Sequence, residues 1–491
     1  MELIWKEIDA ERLTAELTAQ IAIKGDLPSP DGRAPQGEPC CAASVLIDAA
    51  EAAHGEVRIA GRIPVLVTCF DGDGQAFAYE SAASFEKTVE APGAAPGMTA
   101  VASAVIETMK AYASGSGVRL EANAEISVRV YSSVPMKVMG GVSGIDDLEL
   151  KTESTSTGRA VRVGGGVARL REELAADGVT DVISCEGVIS VREATSEQDG
   201  VAVGGVITVT AVYRGADGRT GTLCRQAPFR EKISLDRPAA APYCTAVMRS
   251  VYLRSPGEGL GILAMEAEAE FTLWDAQSFD VSLPTDAFSP TVGFDALTER
   301  TVFTRAMGRS SRQVSLREEL TLPLGASEPG RVLCVNARPI VTDTVLEERT
   351  LTVRGVISTQ VVYQSTAGRT AAFTEDLPFE TETDAPAADA VFVSASCAAY
   401  GEGFADRTLA VTYTLVLDAE FEARRSVAVL TGLAERERTE TAGGVLLCFA
   451  SEGETAFDVA KRYSVPCAAV RRLNPEAAEP YGEGERLILI V

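Results

Sequence analysis

The chain contains a single histidine, His54, and that count alone removes most familiar catalytic and metal-binding schemes. Imidazole is the usual neutral-pH proton carrier and a common metal ligand. Asp48 and Glu51 lie near it in sequence, but a dyad also needs a nucleophile, and none carries an independent signal. An exposed loop histidine is the simpler account. The ten cysteines (40, 41, 69, 185, 224, 244, 334, 397, 448 and 467) include no Cys-x-x-Cys pair and no regular spacing, which zinc and redox motifs require. Most sit in apolar strand-like runs, such as RVLCVN around Cys334, and read as small buried thiols of a reducing compartment. The adjacent pair Cys40–Cys41 stands out without an assigned role.

Other motifs imitate sites without completing them. Asp71-Gly72-Asp73-Gly74 looks like the opening of a calcium loop. Gly164-Gly165-Gly166 and Gly257-Glu258-Gly259 look like phosphate cradles, yet neither is followed by Lys-Ser/Thr or framed by strand and helix. No spacing among the 70 acidic residues singles out a carboxylate pair for hydrolysis. The expectation is a non-enzyme with no metal and no cofactor.

Charge narrows the partners. Against 70 Asp and Glu stand 45 Lys and Arg, a formal net charge of -25. Such a chain repels phosphate backbones and anionic lipid surfaces, so nucleic acid and membrane are not expected. With 46% hydrophobic residues it has the apolar area to fold. The N-terminal run MELIWKEIDAERLTAEL lacks the basic-then-apolar pattern of a secretory signal. No stretch reaches the roughly 18 apolar residues of a span. The expected location is cytoplasmic.

The elements that must position any site come from a repeat. Segments starting at Glu56, Gly200 and Thr350 superpose without a gap when anchored on Gly61, Gly205 and Gly355. Gly74, Gly218 and Gly368 follow each anchor by 13 residues, and Phe85, Phe229 and Phe379 by 24. The period is 144, then 150 residues, and LREEL recurs at Leu170–Leu174 and Leu316–Leu320. Equal offsets settle the calcium question, because the turns GADG and STAG keep the glycine while the first loses one of the two carboxylates and the second both. Each copy alternates with the two-residue period of half-buried strands, clearest over 201–213. Longer alternating runs follow at 120–132, 263–275 and 409–421, while LTAELTAQIAIK is ambiguous between strand and helix. The expected fold is mainly β: three tandem antiparallel sandwich- or barrel-like modules over 1–160, 161–310 and 311–433.

The triplicated pattern resembles the SPOCS domain of Firmicute spore proteins. The likeness rests on the Gly-anchored strand, Tyr213 and Tyr363, the Asp/Ala-Gly-Arg turn and the Leu377–Glu380 segment. The first copy departs most, with Cys69 in place of tyrosine and Ala83-Ser84-Phe85 in place of Ala/Leu-Pro-Phe.

After a charged and then small-residue linker at 434–444, residues 445–491 read as strand, helix, helix, strand. Thr455 is the expected N-cap, with Asp458 three residues on. The runs G-E-T-A-F-D-V-A-K-R-Y-S-V (453–465), R-L-N-P (472–475) and G-E-R-L-I-L (484–489) resemble the LysM domain. That resemblance implies a shallow groove for N-acetylglucosamine glycan, chitooligosaccharide or peptidoglycan, lined by Gly453, Glu454, Thr455, Ala456, Phe457, Asn474, Pro475 and Glu476. Ala456 replaces a larger aliphatic residue common in that family. Lys461, Arg462, Arg471 and Arg472 gather basic charge on the two helices and form a candidate protein-binding patch.

SPOCS modules followed by one LysM domain resemble the layout of spore morphogenetic proteins. That layout implies an assembly role in the mother-cell cytosol, tethering the coat basement layer, built from the stage IV sporulation ATPase, to the forespore surface. The competing expectation is a wall-glycan-binding protein with β-domain spacers.

Overall fold

A computed structural model describes residues 2–71, 75–240, 242–255, 261–437 and 443–491. The first part of the chain forms β1 (Glu2–Ile8), β2 (Arg12–Pro28), β3 (Cys40–Ala43), β4 (Leu46–Ala53), β5 (Glu56–Phe70), β6 (Ala76–Glu90), β7 (Thr99–Ser114), β8 (Gly117–Ser132) and β9 (Met136–Ser143). The second forms β10 (Glu149–Thr157), β11 (Ala160–Ala175), β12 (Val179–Glu197), β13 (Gly200–Gly215), β14 (Thr220–Ser234), β15 (Pro242–Arg254), β16 (Ile262–Ala276) and β17 (Phe279–Phe288). The third forms β18 (Phe294–Thr321), β19 (Pro329–Glu347), β20 (Thr350–Ser365), β21 (Thr370–Asp384), β22 (Ala390–Ala405) and β23 (Thr408–Glu435). The tail is β24 (Val445–Phe449), α1 (Ala456–Tyr463), α2 (Cys467–Leu473) and β25 (Arg486–Ile490). The chain is mainly β, and the ambiguous run LTAELTAQIAIK lies in strand β2.

Strand alternation builds the cores. In β16 every second residue from Leu263 to Leu273 is buried, as one wet and one dry face demand. The sheets β11-β16-β15 and β12-β13-β14 enclose one core that includes Leu170, Val203, Ile207 and Phe271. In the third part β18-β23-β22 and β19-β20-β21 enclose Leu320, Ile357, Tyr413 and Leu417. In the first, β2-β8-β7 and the sheet of β3, β4, β5 and β6 enclose Leu27, Ile63, Val67 and Ile126.

The equal offsets have a steric cause. Gly61, Gly205 and Gly355 face Phe85, Phe229 and Phe379 across antiparallel pairs. Each phenylalanine ring lies over its glycine. A Cβ built on Gly205 would stand 2.8 Å from the Phe229 ring and 2.0 Å from the Ser190 carbonyl oxygen. On the other neighbour a bulge falls beside each anchor, at Ile47/Ala49, Val191/Glu193 and Val341/Asp343. Bulge and ring-covered glycine together bend the sheet at one place. The hairpin glycines Gly218 and Gly368 have φ of 74° and 81°, a conformation open to glycine. Gly72, Asp73 and Gly74 lie outside the described residues.

The three parts are not separate beads. Each ends in a two-stranded ribbon: β1 with β9, β10 with β17, and the first half of β18 with the second half of β23. The ribbons share cores of Ile8, Val138, Leu283, Phe303 and Val429 and of Met139, Ala287, Phe294 and Leu430. Where the ribbons leave the sheets, the buried Thr157 hydroxyl shares its one proton between the carbonyls of Glu11 (2.9 Å) and Thr304 (3.1 Å) and accepts from the Glu11 N–H (3.0 Å). One side chain thereby ties all three parts. β2 and β18 also pair at Leu13–Val302 and Arg12–Phe303, joining the first and third parts in one six-stranded sheet.

The expected divisions fall within strands. The 160/161 division falls at the start of β11, and the 310/311 division falls inside β18. β18 runs unbroken from ribbon to sheet through bulges at Leu297/Thr298 and Ala306/Gly308, the latter with Gly308 at φ of 101°, so no loop composition marks the passage. Residues 434 and 435 of the expected linker end β23, and 438–442 lie outside the described residues.

Candidate functional site

The tail builds its loops from helix-end chemistry. Thr455 is the N-cap of α1. The Asp458 carboxylate accepts from the Thr455 N–H at 2.9 Å and from its hydroxyl at 2.7 Å. Glu479 reaches back to the same helix end, accepting from the Ala456 N–H at 2.9 Å and from Arg471 Nε at 2.7 Å. The Arg471 hydrogen bond, opposed by burial, holds the Glu479 carboxyl below its ordinary range. Both carboxylates satisfy amides that an α-helix leaves unpaired at its start.

The eight glycan candidates divide by what their side chains already do. Ala456 and Phe457 are buried. Asn474 donates to the carbonyls of Val470 (2.8 Å) and Ile488 (2.9 Å) and accepts from the Ile488 N–H (2.7 Å), clamping the end of α2 to β25. Glu454 accepts from the Ser451 N–H and pairs with Arg462, and Thr455 is held by Asp458. Gly453, Pro475 and Glu476 remain exposed. These three form the accessible rim of the two loops.

The basic patch divides in the same way. Lys461 Nζ pairs with both oxygens of Asp286 on β17, at 2.5 and 2.7 Å. Arg462 pairs with Glu454, and Arg471 with Glu479. Arg472 is exposed and pairs with no carboxylate among the described residues. Three of the four candidate docking bases are therefore already engaged within the chain.

Lys461 belongs to a seat that holds the tail on the β10–β17 ribbon. Phe288, the last residue of β17, enters the tail's own core beside Phe457, Val459 and Leu487. Its ring meets Phe457 edge-on at 5.0 Å and 79°, a favourable quadrupole geometry. Lys151 Nζ lies 2.7 Å from Asp458, and the Glu149 carboxylate accepts from the Cys467 N–H at 2.9 Å. Burial works to raise the Asp458 carboxyl, but hydrogen bonds from Lys151 and Thr455 outweigh it and leave the group below its ordinary value. Sequence reasoning missed Glu149, Lys151, Asp286 and Phe288, because they lie far from the tail in the chain.

Among the described residues, two cavities of the body stand out. One of about 520 Å³ opens between the three parts, bordered by Arg129, Tyr131, Tyr243, Trp274, Phe392 and Glu420. The other, about 30 Å³, borders Cys40, Ser184, Glu186 and Cys334. Burial raises the Glu186 carboxyl to about 7. No helix among the described residues is long and apolar enough to cross a membrane. Comparison with protein families, with curated proteins and with solved structures finds no match.

Proposed function

We propose that this chain is a non-enzymatic assembly and tethering protein of the bacterial endospore envelope, of the SipL type. In this reading the three double-sheet parts are SPOCS modules of sandwich form and the βααβ tail is a LysM domain. The protein acts in the mother-cell cytosol and links the coat basement layer, a stage IV sporulation ATPase, to the forespore surface. The observation that supports it is the threefold recurrence of one device, a ring-covered glycine beside a bulge. It precedes a tail whose residues carry the LysM run.

The tail's outward surface then docks a protein. With Lys461, Arg462 and Arg471 paired inside the chain, the candidate base left without a carboxylate partner among the described residues is Arg472, and the exposed rim is Gly453, Pro475 and Glu476. A fluorescent fusion in sporulating cells should ring the forespore and co-purify with the coat ATPase. Arg472→Glu should weaken that recruitment at unchanged melting temperature. Labelling of the cell wall, or chitooligosaccharide binding by the full chain that Glu476→Ala abolishes while Arg472→Glu does nothing, would establish the wall-glycan reading in its place.

A further inference from the structure

The adjacent cysteines that the sequence leaves unexplained lie at the start of a strand whose residues alternate in direction. In β3, Cys41 points into the core of the first part. Cys40 points the other way, into a cluster with Phe70, Val212, Leu333, Cys334 and Val362 that draws on all three parts. The register makes the meeting systematic. Cys40 faces Thr68, Ser184 faces Val212 and Cys334 faces Val362, and each partner stands seven residues after its anchor glycine. Three equivalent positions therefore bring two thiols and one hydroxyl together.

The contacts between them differ by seam. The Thr68 hydroxyl donates to Ser184 Oγ at 3.1 Å, joining the first part to the second. Cys334 Sγ lies 2.7 Å from Cys40 Sγ, joining the third to the first across 294 residues of chain. The same seam is closed beside them by Gln360 Nε2 donating to the Pro39 carbonyl at 3.2 Å. Both thiols are nearly inaccessible, at 2% and 8% exposure. They border the cavity of about 30 Å³, which has room for about one water-sized molecule.

We propose that Cys40 and Cys334 are an oxidative modification site, closed by a small peroxide into a disulfide that staples the first part of the chain to the third. In the first step one thiol gives up its proton, its thiolate sulfur attacks a peroxide oxygen, the O–O bond breaks, and the leaving hydroxide takes that proton, so that sulfenic acid and water result. In the second the facing thiol attacks that sulfur, the S–O bond breaks and a second water leaves. Overall two thiols and one hydrogen peroxide give one disulfide and two waters. The facing thiol intercepts the sulfenic acid before further oxidation. Its hydrogen bond to Cys334, followed by burial, pushes the Cys40 thiol well above its ordinary value, so the reaction is slow and accelerates with pH. This is the behaviour of a staple and not of a catalytic cysteine. The inference does not depend on the proposed function.

The test uses the full chain carrying Cys41→Ser, so that Cys40 is alone on its tryptic peptide. It is exposed to hydrogen peroxide under native conditions, quenched with a maleimide and mapped without reduction. The expected product is a single cross-linked pair containing Cys40 and Cys334, lighter by two hydrogens than the sum of its halves. It should form faster at higher pH and vanish in Cys334→Ser. That variant should fold, because serine already occupies the equivalent position 184. Adding Ser184→Cys should divert part of Cys40 into a link with position 184. Recovery of Cys40 as sulfinic acid, as an unoxidised thiol, or linked to Cys69 would overturn the proposal.

Discussion

The junction of the three repeated parts and the seat of the tail both join residues distant in sequence, but they are made of different material. At the junction a buried threonine hydroxyl ties three backbones, between ribbon cores that exclude water. At the seat the polar contacts are two ion pairs, Lys461–Asp286 and Lys151–Asp458, whose side chains retain 27–39% exposure, and the Cys467 N–H bond to Glu149, around one aromatic contact. Buried, neutral hydrogen bonds are insensitive to salt and costly to leave unmade. Half-exposed ion pairs are screened and individually weak. The difference implies a body that unfolds as a unit and a tail that can be loosened by ionic conditions alone.

The largest effect should come from the body's bend. Gly205→Val places a branched side chain against the Ser190 carbonyl and the Phe229 ring, where backbone blocks any adjustment. A loss of about 4 kcal/mol or failure to fold is expected in urea titration, with Gly166→Ala, which meets open space, as the control. Thr157→Val keeps the shape and removes the hydroxyl, leaving the Glu11 N–H without its acceptor. That should cost about 2 kcal/mol and be unaffected by salt.

A smaller effect depends on pH. Burial raises the folded-state Glu186 carboxyl to about 7, above its ordinary value. Its contribution to stability is therefore complete below the unfolded-state value and lost as pH rises through 7. Glu186→Gln should be more stable than the parent by roughly 1–3 kcal/mol at pH 8 and equal to it near pH 4. Thermal melts at the two pH values check this, and an equal shift at both would refute it.

How much of this was legible depends on how far apart the partners lie. The glycine and phenylalanine anchors, the alternating strands and the Thr455 cap are local patterns, each fixed by residues within one hairpin or one helical turn. The junction is carried by ordinary residues such as Thr157, whose partners Glu11 and Thr304 are 146 and 147 positions away, and no local pattern marks such a residue. The same distance hid the tail's seat. Lys461 and Arg471 read as free charges because nothing nearby names Asp286, 175 residues upstream, or shows that Glu479 folds back to Arg471. Two of the glycan candidates also have work inside the tail, where Asn474 clamps α2 to β25 and Phe457 is buried in the core.

The smallest effect is the most selective. Lys461→Ala removes a partly exposed pair and should cost no more than about 1 kcal/mol. It should speed hydrogen exchange in α1 without altering exchange at the junction, and 0.5 M salt should give the parent the same behaviour.

Charge reversal at this pair tests most directly that a locked body carries a separately held tail. Backbone hydrogen exchange would be followed in α1 and at the junction amides of Gly158 and Thr304. Lys461→Glu and Asp286→Lys should each loosen α1 alone, and the two together should restore its protection. Loosening of the junction by either single change, or no recovery in the pair, would contradict the account.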